Sequence, residues 1–600
     1  MIKTKLEELV GSAYKKAAAE GAVGSSKDFP ECPEPIVIET PKLEEHGDLA
    51  CGVALKLARH LKAPPIKIAE VLSQYIEKEV TEGKSKSSCQ NGGALPFSQE
   101  VANPGFINFR LGKSWLCDSL KEVNAKGDDF GKPEKLEKKK INIEYVSANP
   151  TGDLHIGHGR GAVLGSCLAN LFKFAGHDVV EEFLINDAGE QIAKLADCSW
   201  ALYQKKLGKE TPYPEEGYPE DSLDSYLDAL IKEHGDKFLA LDPQEGRAKV
   251  GDLIKEAIRS YHEDLLARLG VTFDIWFSEL TLHEKKKVEE AMEKLAASDN
   301  IYEKDGAVFL KAEALGDIRD RVLKKSTGRY TYLAGDAAYH LDKFQRGYDL
   351  MINIWGADHH GQVPGLKATI EALGEDPQKL QVVLTQIVNL NRDGEIVRMS
   401  KRRGTVVTLE EVMDEVGVDA VRYYLAESNQ NNPINFDLEL AKQSSKENPA
   451  FYIQYAHARC CSILRKALES YKDTESGKEE PAPLTEEQLE QFKKLYKEDA
   501  SVYEAAFDDD AEVFNHQKKL VLKLQAFPQE VEDAVNAWQP GKLARYAYDL
   551  ANDLQKFYEV SRVITSDLSV TRARLGLIMA TRQVLQNVLK IIGVSAPERM

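Results

Sequence analysis

The chain has 600 residues, of which 42% are hydrophobic and 29% charged, with a formal net charge of −19. That length exceeds what one core supports and implies three or four domains of ordinary globular composition. No apolar run reaches membrane-spanning length, and the acidic average argues against a generic nucleic-acid binder while leaving room for local basic surfaces.

The first residues, Met1-Ile2-Lys3-Thr4-Lys5-Leu6-Glu7-Glu8, mix both charges and lack an apolar signal core. No presequence is expected, and the expected location is cytoplasmic. Eight cysteines, at 32, 51, 89, 117, 167, 198, 460 and 461, show no C-x-x-C spacing. They read as reduced thiols, with neither disulfides nor a zinc site.

Residues 1–125 form a first unit. It begins with a helical segment and a proline-containing stretch at 30–41, then helical patterns at 49–61 and 65–80. The second pattern places Ile66, Ile68, Ala69, Val71, Leu72 and Ile76 at helical spacing. A Gly- and Ser-rich loop at 83–96 precedes a short β element, Phe106-Ile107-Asn108-Phe109-Arg110-Leu111. Residues 132–140 read as a lysine-rich linker.

From about 140 to 440 strands and helices alternate, as in a parallel α/β sheet, which gives a second domain over 126–445. Its strand candidates are 141–146, 179–185, 350–355, 380–388 and 395–399. Residues 199–317 read as a charged, mostly helical insertion. From 446 to 600 the pattern is helical apart from a polar break at 474–483, which predicts a helix bundle. Candidate basic patches lie at 132–140, 319–329 and 398–403.

The segment Ala148-Asn149-Pro150-Thr151-Gly152-Asp153-Leu154-His155-Ile156-Gly157-His158 follows a strand-like run and opens a predicted helix. A strand, a polar turn and a helix start form the geometry in which α/β folds hold phosphates, because helix-start N–H groups and the local dipole face an anion. The plainer readings are a metal pair or two core histidines, and no third ligand stands at an obvious spacing for a metal. Further on, Val397-Arg398-Met399-Ser400-Lys401-Arg402-Arg403-Gly404 follows the turn Asn391-Arg392-Asp393-Gly394 and reads as a basic loop. Between them, Tyr332 and Asp336 stand four residues apart, on one face if that block is helical. A surface helix carrying one Tyr and one Asp is the plain alternative.

His155-Ile156-Gly157-His158 resembles the first signature of class I aminoacyl-tRNA synthetases. The later loop resembles their second signature, Lys-Met-Ser-Lys-Ser; it keeps Met399, Ser400 and Lys401 and departs at Arg398 and Arg402. Seven blocks in order, from Glu39-Thr40-Pro41 to the final Ser595-Ala596-Pro597-Glu598-Arg599-Met600, are similar to arginyl-tRNA synthetases. Intact His155, His158 and Lys401 set aside a non-catalytic relative, and the absence of a Cys/His cluster beside Cys167 or Cys198 sets aside a zinc-dependent cysteine enzyme. A generic nucleotidyl transferase would not need the helical last third.

The resemblance implies a Rossmann-like α/β catalytic core, an α+β N-terminal domain that meets the tRNA elbow and an all-α C-terminal anticodon-binding bundle. It implies that His155, Gly157, His158, Met399, Ser400 and Lys401 bind ATP, with His155, His158, Ser400 and Lys401 catalytic. Glu144, Ser147, Asn149, His158, Tyr332, Asp336 and His359 would hold arginine, whose planar cation calls for carboxylates and an aromatic face. Asn103, Phe106 and Asn108 would meet the tRNA D-loop, an aromatic flanked by amides suiting a splayed-out base. The plain alternative there is a β edge with Phe106 in the core. The partners implied are tRNA(Arg), L-arginine and ATP with Mg²⁺, without zinc, organic cofactor or membrane, acting on a monomeric enzyme.

Overall fold

A five-stranded sheet organises the middle of the chain in this computed structural model, which describes residues 2–41, 43–83, 97–134, 136–397, 407–469, 471–472, 479–480 and 484–600. Its strands are β1 (Lys140–Glu144), β2 (Asp178–Ile185), β3 (Ile275–Ser278), β4 (Leu350–Gly356) and β5 (Leu380–Thr385). All run parallel, in the order β3-β2-β1-β4-β5. The order reverses between β1 and β4, so the connections leave on opposite faces there and a crevice opens at the carboxyl ends. β1 is buried along nearly its whole length, as the Ile141 and Ile143 alternation within a covered parallel sheet requires.

Two helices frame the crevice. The first, α1 (Ile156–Ala175), follows β1 through the 145–155 loop, and α2 (Tyr332–Gln345) precedes β4. α1 is buried almost all round and lies close to its neighbours because of its glycines. A Cβ at Gly165 would stand 2.2 Å from the Tyr145 ring, and one at Gly159 2.6 Å from Leu409.

The structure differs from the sequence expectation in the stretch 199–317. The helices Glu190–Lys206, Glu220–His234 and Pro243–Arg268 do pack on one another around Leu202, Leu227 and Ile254. The same stretch also supplies β3 and two strands, Ile301–Lys304 and Ala307–Leu310, that join Arg321–Lys324 in a small antiparallel sheet. β3 is only four residues long, too short for periodicity to reveal. Tertiary packing makes it a strand, with Trp276 stacked on Phe183 at 4.5 Å. The predicted strand 380–388 likewise ends at Thr385. Val388–Arg392 leaves the parallel sheet to form a hairpin with Glu395–Val397 and a parallel pair with Ile434–Asp437.

The N-terminal residues form a four-stranded antiparallel sheet, in the order Ile38–Glu39, Leu49–Cys51, Phe106–Leu111, Phe97–Ala102. Helices Ile2–Glu20 and Pro65–Gly83 enclose a separate core that includes Leu6, Ile68 and Phe109. The next helix, Lys113–Lys126, packs on the C-terminal helices, where Asn124 Nδ2 donates to Tyr503 OH (2.9 Å) and to the Gly576 carbonyl (3.1 Å).

The last third consists of the helices Pro449–Lys466, Glu486–Glu498, Ala511–Ala537, Gly541–Val560 and Leu568–Ile592, with a two-residue strand pair at Tyr471–Lys472 and Glu479–Glu480. Its core is continuous with that of the parallel sheet. Buried Arg422 joins the two, donating to the carbonyls of Ile592 (3.2 Å) and Leu269 (3.0 Å) and to Ser166 Oγ (3.0 Å). Those carbonyls close helix C-termini, where the partial negative charge suits a guanidinium that has no carboxylate partner among the described residues. Among the described residues no helix is long and apolar enough to cross a membrane, and the seven described cysteines are free thiols.

Candidate active site

Glu144 ends β1, and the chain then turns through Val146 (φ 67°) and Ser147 (φ 43°), both left-handed. For a β-branched residue this conformation costs of order 1–3 kcal/mol and persists only where the surroundings hold it. Ser147 does so by donating its Oγ to Glu144 Oε1 (3.1 Å) and accepting the Leu184 amide (3.2 Å). The turn carries the chain across the carboxyl ends of the strands. There Asn149 donates to Gln191, and the next turn is held by His262 Nε2 donating to the Gly152 carbonyl (2.7 Å).

The two signature histidines begin α1 as its cap. His155 is the N-cap residue, and its Nδ1 accepts the amides of Gly157 (3.1 Å) and His158 (3.3 Å). His158 Nδ1 accepts the amide of His155 in return (3.2 Å). The rings stack with centroids 3.8 Å apart. Because both Nδ1 atoms are acceptors, each neutral ring carries its proton on Nε2. Desolvation lowers the pKa of both, and that of His158 is pushed down to about 3 by burial with help from His155 and His262. The pair therefore offers two neutral N–H donors beside the helix amides. A Cβ at Gly157 would meet the His155 ring at 2.9 Å, so glycine permits the stack.

On the β4 side the crevice is acidic. Glu144 is buried and bound to Lys343 Nζ (2.6 Å), which also donates to Asn353 Oδ1 (3.1 Å). Asp336, one helical turn beyond Tyr332 on α2, makes no such pair among the described residues. Burial pushes its pKa up to about 7, aided by the negative charges of Glu279 and Glu144. Glu279 is raised to about 7 as well, by burial and by Asp187. With the Asn186 amide turned so that its nitrogen donates to Glu279 Oε2 (2.6 Å), that oxygen has a neutral partner. Two partly desolvated carboxyl groups that repel one another favour a cationic ligand, which would restore the charged form of both. Tyr332, 65% exposed, stands at the rim on the same helix face as Asp336.

His359 lies in the short turn Ala357–Gln362 after β4, half-exposed, 3.5 Å from Asp358 Oδ2. Met399, Ser400 and Lys401 lie outside the described residues. Their flanks are described: the Glu395–Val397 strand before them and Thr408 after them, which bridges to His155, while the Leu409 amide donates to the Leu154 carbonyl (2.8 Å). The chain that leaves the second signature thus returns beside the first.

Three family models match in succession: Arginyl tRNA synthetase N terminal domain over residues 4–111, tRNA synthetases class I (R), catalytic domain over 120–446, and DALR anticodon binding domain over 495–600. The arginine–tRNA ligase of Desulfitobacterium hafniense is 40% identical over 596 residues, covering 99% of both chains. That of Moorella thermoacetica is 42% identical over 595 residues, covering 98% of both. The chain belongs to the arginine–tRNA ligases. The Thermus thermophilus arginyl-tRNA synthetase shares the fold of this arginine–tRNA ligase over the full length of both chains, with a TM-score of 0.68 at 20% identity.

In this arginine–tRNA ligase Asn103, Phe106 and Asn108 are far along the chain from the crevice, on the N-terminal sheet. Asn103 is exposed at the turn, Phe106 is half-buried over Gly52 and Asn108 is buried. Their strand is flanked on both sides, so it is no sheet edge. Phe106 alternates with Ile107 and Phe109, which fill the core, and so lies on the opposite face.

Two site residues escaped sequence reasoning. Lys343 continues the stripe of Tyr332, Asp336 and Tyr339 along α2, so helical spacing could have found it. Glu279 follows β3, and only the fold brings it to Asp336.

Proposed function

We infer that this crevice activates L-arginine with ATP and passes it to the 3′ end of tRNA(Arg), with the roles as follows. The arginine guanidinium enters between Asp336 and Glu279, with Tyr332 against its face and the Glu144–Lys343 pair behind. Ser147, Asn149 and His359 meet its backbone end and the walls beside it. The observation that carries this reading is the Asp336–Glu279 couple, two desolvated carboxyl groups with raised pKa values, the charge of Glu279 acting on Asp336.

ATP lies along the start of α1, its phosphates receiving the Nε2–H groups of His155 and His158 and the helix amides, and its adenine against Gly157. The arginine carboxylate attacks the α-phosphorus, and pyrophosphate leaves with the electron pair. Negative charge grows on the phosphate oxygens in that step, so fixed N–H donors and the Lys401 ammonium stabilise the transition state more than the bound substrate. Ser400 acts with Lys401 on the departing pyrophosphate, and Met399 binds ATP beside them. The terminal ribose hydroxyl of the tRNA then attacks the adenylate carbonyl, and AMP departs. No protein nucleophile takes part. Among the described residues no cluster of three His, Cys, Asp or Glu side chains is shaped for a metal. Mg²⁺ would accompany the ATP phosphates, where it would neutralise charge.

The three parts of the chain divide the labour. Residues 1–125 grip the tRNA elbow through Asn103, Phe106 and Asn108; residues 126–445 carry the chemistry; residues 446–600 read the anticodon. Exposed Tyr455 and Tyr558, with half-buried Arg459 between them, support the last assignment. The Arg459 guanidinium sits over the rings of Tyr455 (5.3 Å) and Tyr558 (4.3 Å), a surface on which bases stack. The enzyme works as a cytoplasmic monomer. Aminoacylation of total tRNA, assayed with each of the twenty amino acids in turn, tests the reading: arginine alone should be attached, with AMP and pyrophosphate formed. Attachment of a different amino acid would contradict the pocket.

A further inference from the structure

Lys343 lies with its side chain wholly buried behind the arginine crevice, and no step of the chemistry above passes through its ammonium. Burying a charge is costly, and apolar residues of similar volume often serve a fold as well. Lys343 nevertheless meets three partners. It donates to Glu144 Oε2 (2.6 Å) and Asn353 Oδ1 (3.1 Å), and the Tyr339 ring faces it with the centroid 4.6 Å from Nζ. Glu144 and Asn353 are ladder partners on β1 and β4, so one ammonium ties together the two strands between which the sheet order reverses.

The contact with Asn353 continues towards the substrate side. Asn353 Nδ2 donates to His340 Nε2 (2.9 Å), and His340 Nδ1 donates to the main-chain carbonyl of Asp336 (2.8 Å). An ammonium can only donate, so it turns the oxygen of the Asn353 amide to itself and the nitrogen to His340. His340 Nε2 must then accept, and the proton of the ring stands on Nδ1. Burial pushes the His340 pKa down to about 3, aided by the Lys343 charge, so the ring stays neutral and keeps that tautomer. Each bond from Lys343 to Asp336 thus has one direction, and Asn353 and His340 are both buried. A buried polar path whose members all have partners is rigid. On its far side Glu182 accepts from Tyr339 OH (2.8 Å), Asn142 Nδ2 (2.8 Å) and Arg346 (2.7 and 3.0 Å), which holds the Tyr339 ring against the ammonium. In the other direction Glu144 Oε1 accepts from Ser147 Oγ (3.1 Å), on the left-handed turn.

We propose that Lys343 is the positioning residue of the arginine site: through Glu144 it holds the Ser147 turn, and through Asn353 and His340 it holds the helical turn that presents Asp336. The role rests on the ligase reading above and deepens it, since Ser147 and Asp336 meet opposite ends of the substrate there. Lys343 stands behind both and sets the distance between them. An error in that distance weakens arginine and spares ATP, which is held at the start of α1.

The test uses the full-length enzyme and pyrophosphate exchange with tRNA(Arg) present. Asn353→Leu cuts the path and leaves the Glu144–Lys343 pair. It should raise KM for arginine roughly tenfold, the scale of one displaced hydrogen bond. Lys343→Met keeps the length and cuts both connections, so KM should rise about 10²-fold. The double variant should match Lys343→Met alone, because Asn353 acts through Lys343. In all three, KM for ATP and kcat at saturating arginine should stay native, while the preference for arginine over homoarginine, one methylene longer, should shrink. In the native enzyme carrying nitrogen-labelled histidine, the His340 resonances should show the proton on Nδ1, a readout that needs no variant. A proton on Nε2, a native KM for arginine in Asn353→Leu, or losses that multiply in the double variant would overturn the proposal. So would KM for arginine, KM for ATP and kcat all worsening together with the melting temperature, which would leave Lys343 a packing role. Exchange by the native enzyme that depends on a different amino acid would contradict the parent reading instead.

Discussion

His155 and His158 cap one helix for each other: each Nδ1 accepts an amide of its partner's cap, so each imidazole is fixed as the tautomer that carries its proton on Nε2. The signature is thereby a pair of neutral donors. The reason is economy of acceptors, since amides at a helix start need partners and the rings supply them.

The two nitrogens of His158 can be tested apart. His158→Asn keeps an acceptor near Nδ1 and loses the outward N–H, so melting should change little while pyrophosphate exchange falls about 10²–10³-fold, the scale for one lost transition-state donor. His158→Gln keeps the outward donor and loses the cap, so it should lower stability by about 1 kcal/mol and retain more exchange activity. Since the His158 pKa lies near 3, the exchange rate should show no imidazolium-dependent decline near pH 6.5. A decline there that disappears in His158→Asn would contradict the neutral pair.

Arginine binding should be coupled to proton release. Asp336 and Glu279 hold protons up to about pH 7 in the free enzyme, and a bound guanidinium favours their ionised forms. Affinity should therefore rise with pH towards about 7 and level off above it, with the couple titrating as a unit. Calorimetry in buffers of different ionisation enthalpy would count the protons, and none released at pH 6.5 would refute the coupling.

The same two groups set a sign for stability. Their folded pKa values lie above the unfolded ones, so their contribution is fully present below about pH 4 and is lost as pH rises through 7. The free enzyme should lose this part of its stability between those limits, and saturating arginine should raise the melting temperature more at pH 7.5 than at 5.5. Asp336→Asn should flatten both trends and weaken arginine more than ATP. Citrulline, neutral and of the same shape, should be rejected by roughly 10⁴-fold in charging, because it places a carbonyl where the carboxylates expect donors.

Arg160 stands on α1 two residues after His158 and is buried. It donates to five main-chain carbonyls, among them Gln386 (2.7 Å), Asn429 (3.0 Å) and Asn432 (2.7 Å). Those carbonyls sit at the base of the hairpin that leads to the second signature. Arg160→Ala should leave them unpaired, at about 1–3 kcal/mol for each that water cannot reach. It should also slow exchange while sparing KM for arginine. Arg160→Lys, with three donors, should restore part of both. An Ala variant with native exchange kinetics would remove Arg160 from the positioning of the hairpin.

Phe106→Ala should weaken tRNA binding by about 1–3 kcal/mol if its ring stacks on a D-loop base, with exchange of ATP and pyrophosphate at a saturating tRNA concentration unaffected. Native affinity in that variant would return Phe106 to a purely structural role on the outer face of its sheet.

Local patterns in the chain determined a good deal by themselves. The strand–turn–helix around His155, the alternation of strands with helices, and the one-face spacing of Tyr332 and Asp336 are all properties of a few consecutive residues, and hydrophobic period, capping and turn chemistry act at that range. Four-residue β3 and the departure of Val388–Arg392 from the parallel sheet were not legible, because strand pairing at that length is decided by the neighbours that complete the ladder. The protonation of the histidines and carboxylates belongs to the tertiary structure too. Glu279 and Asp336 are 57 positions apart in the chain, and a pKa near 7 needs both the burial and the facing charge that only the closed fold supplies.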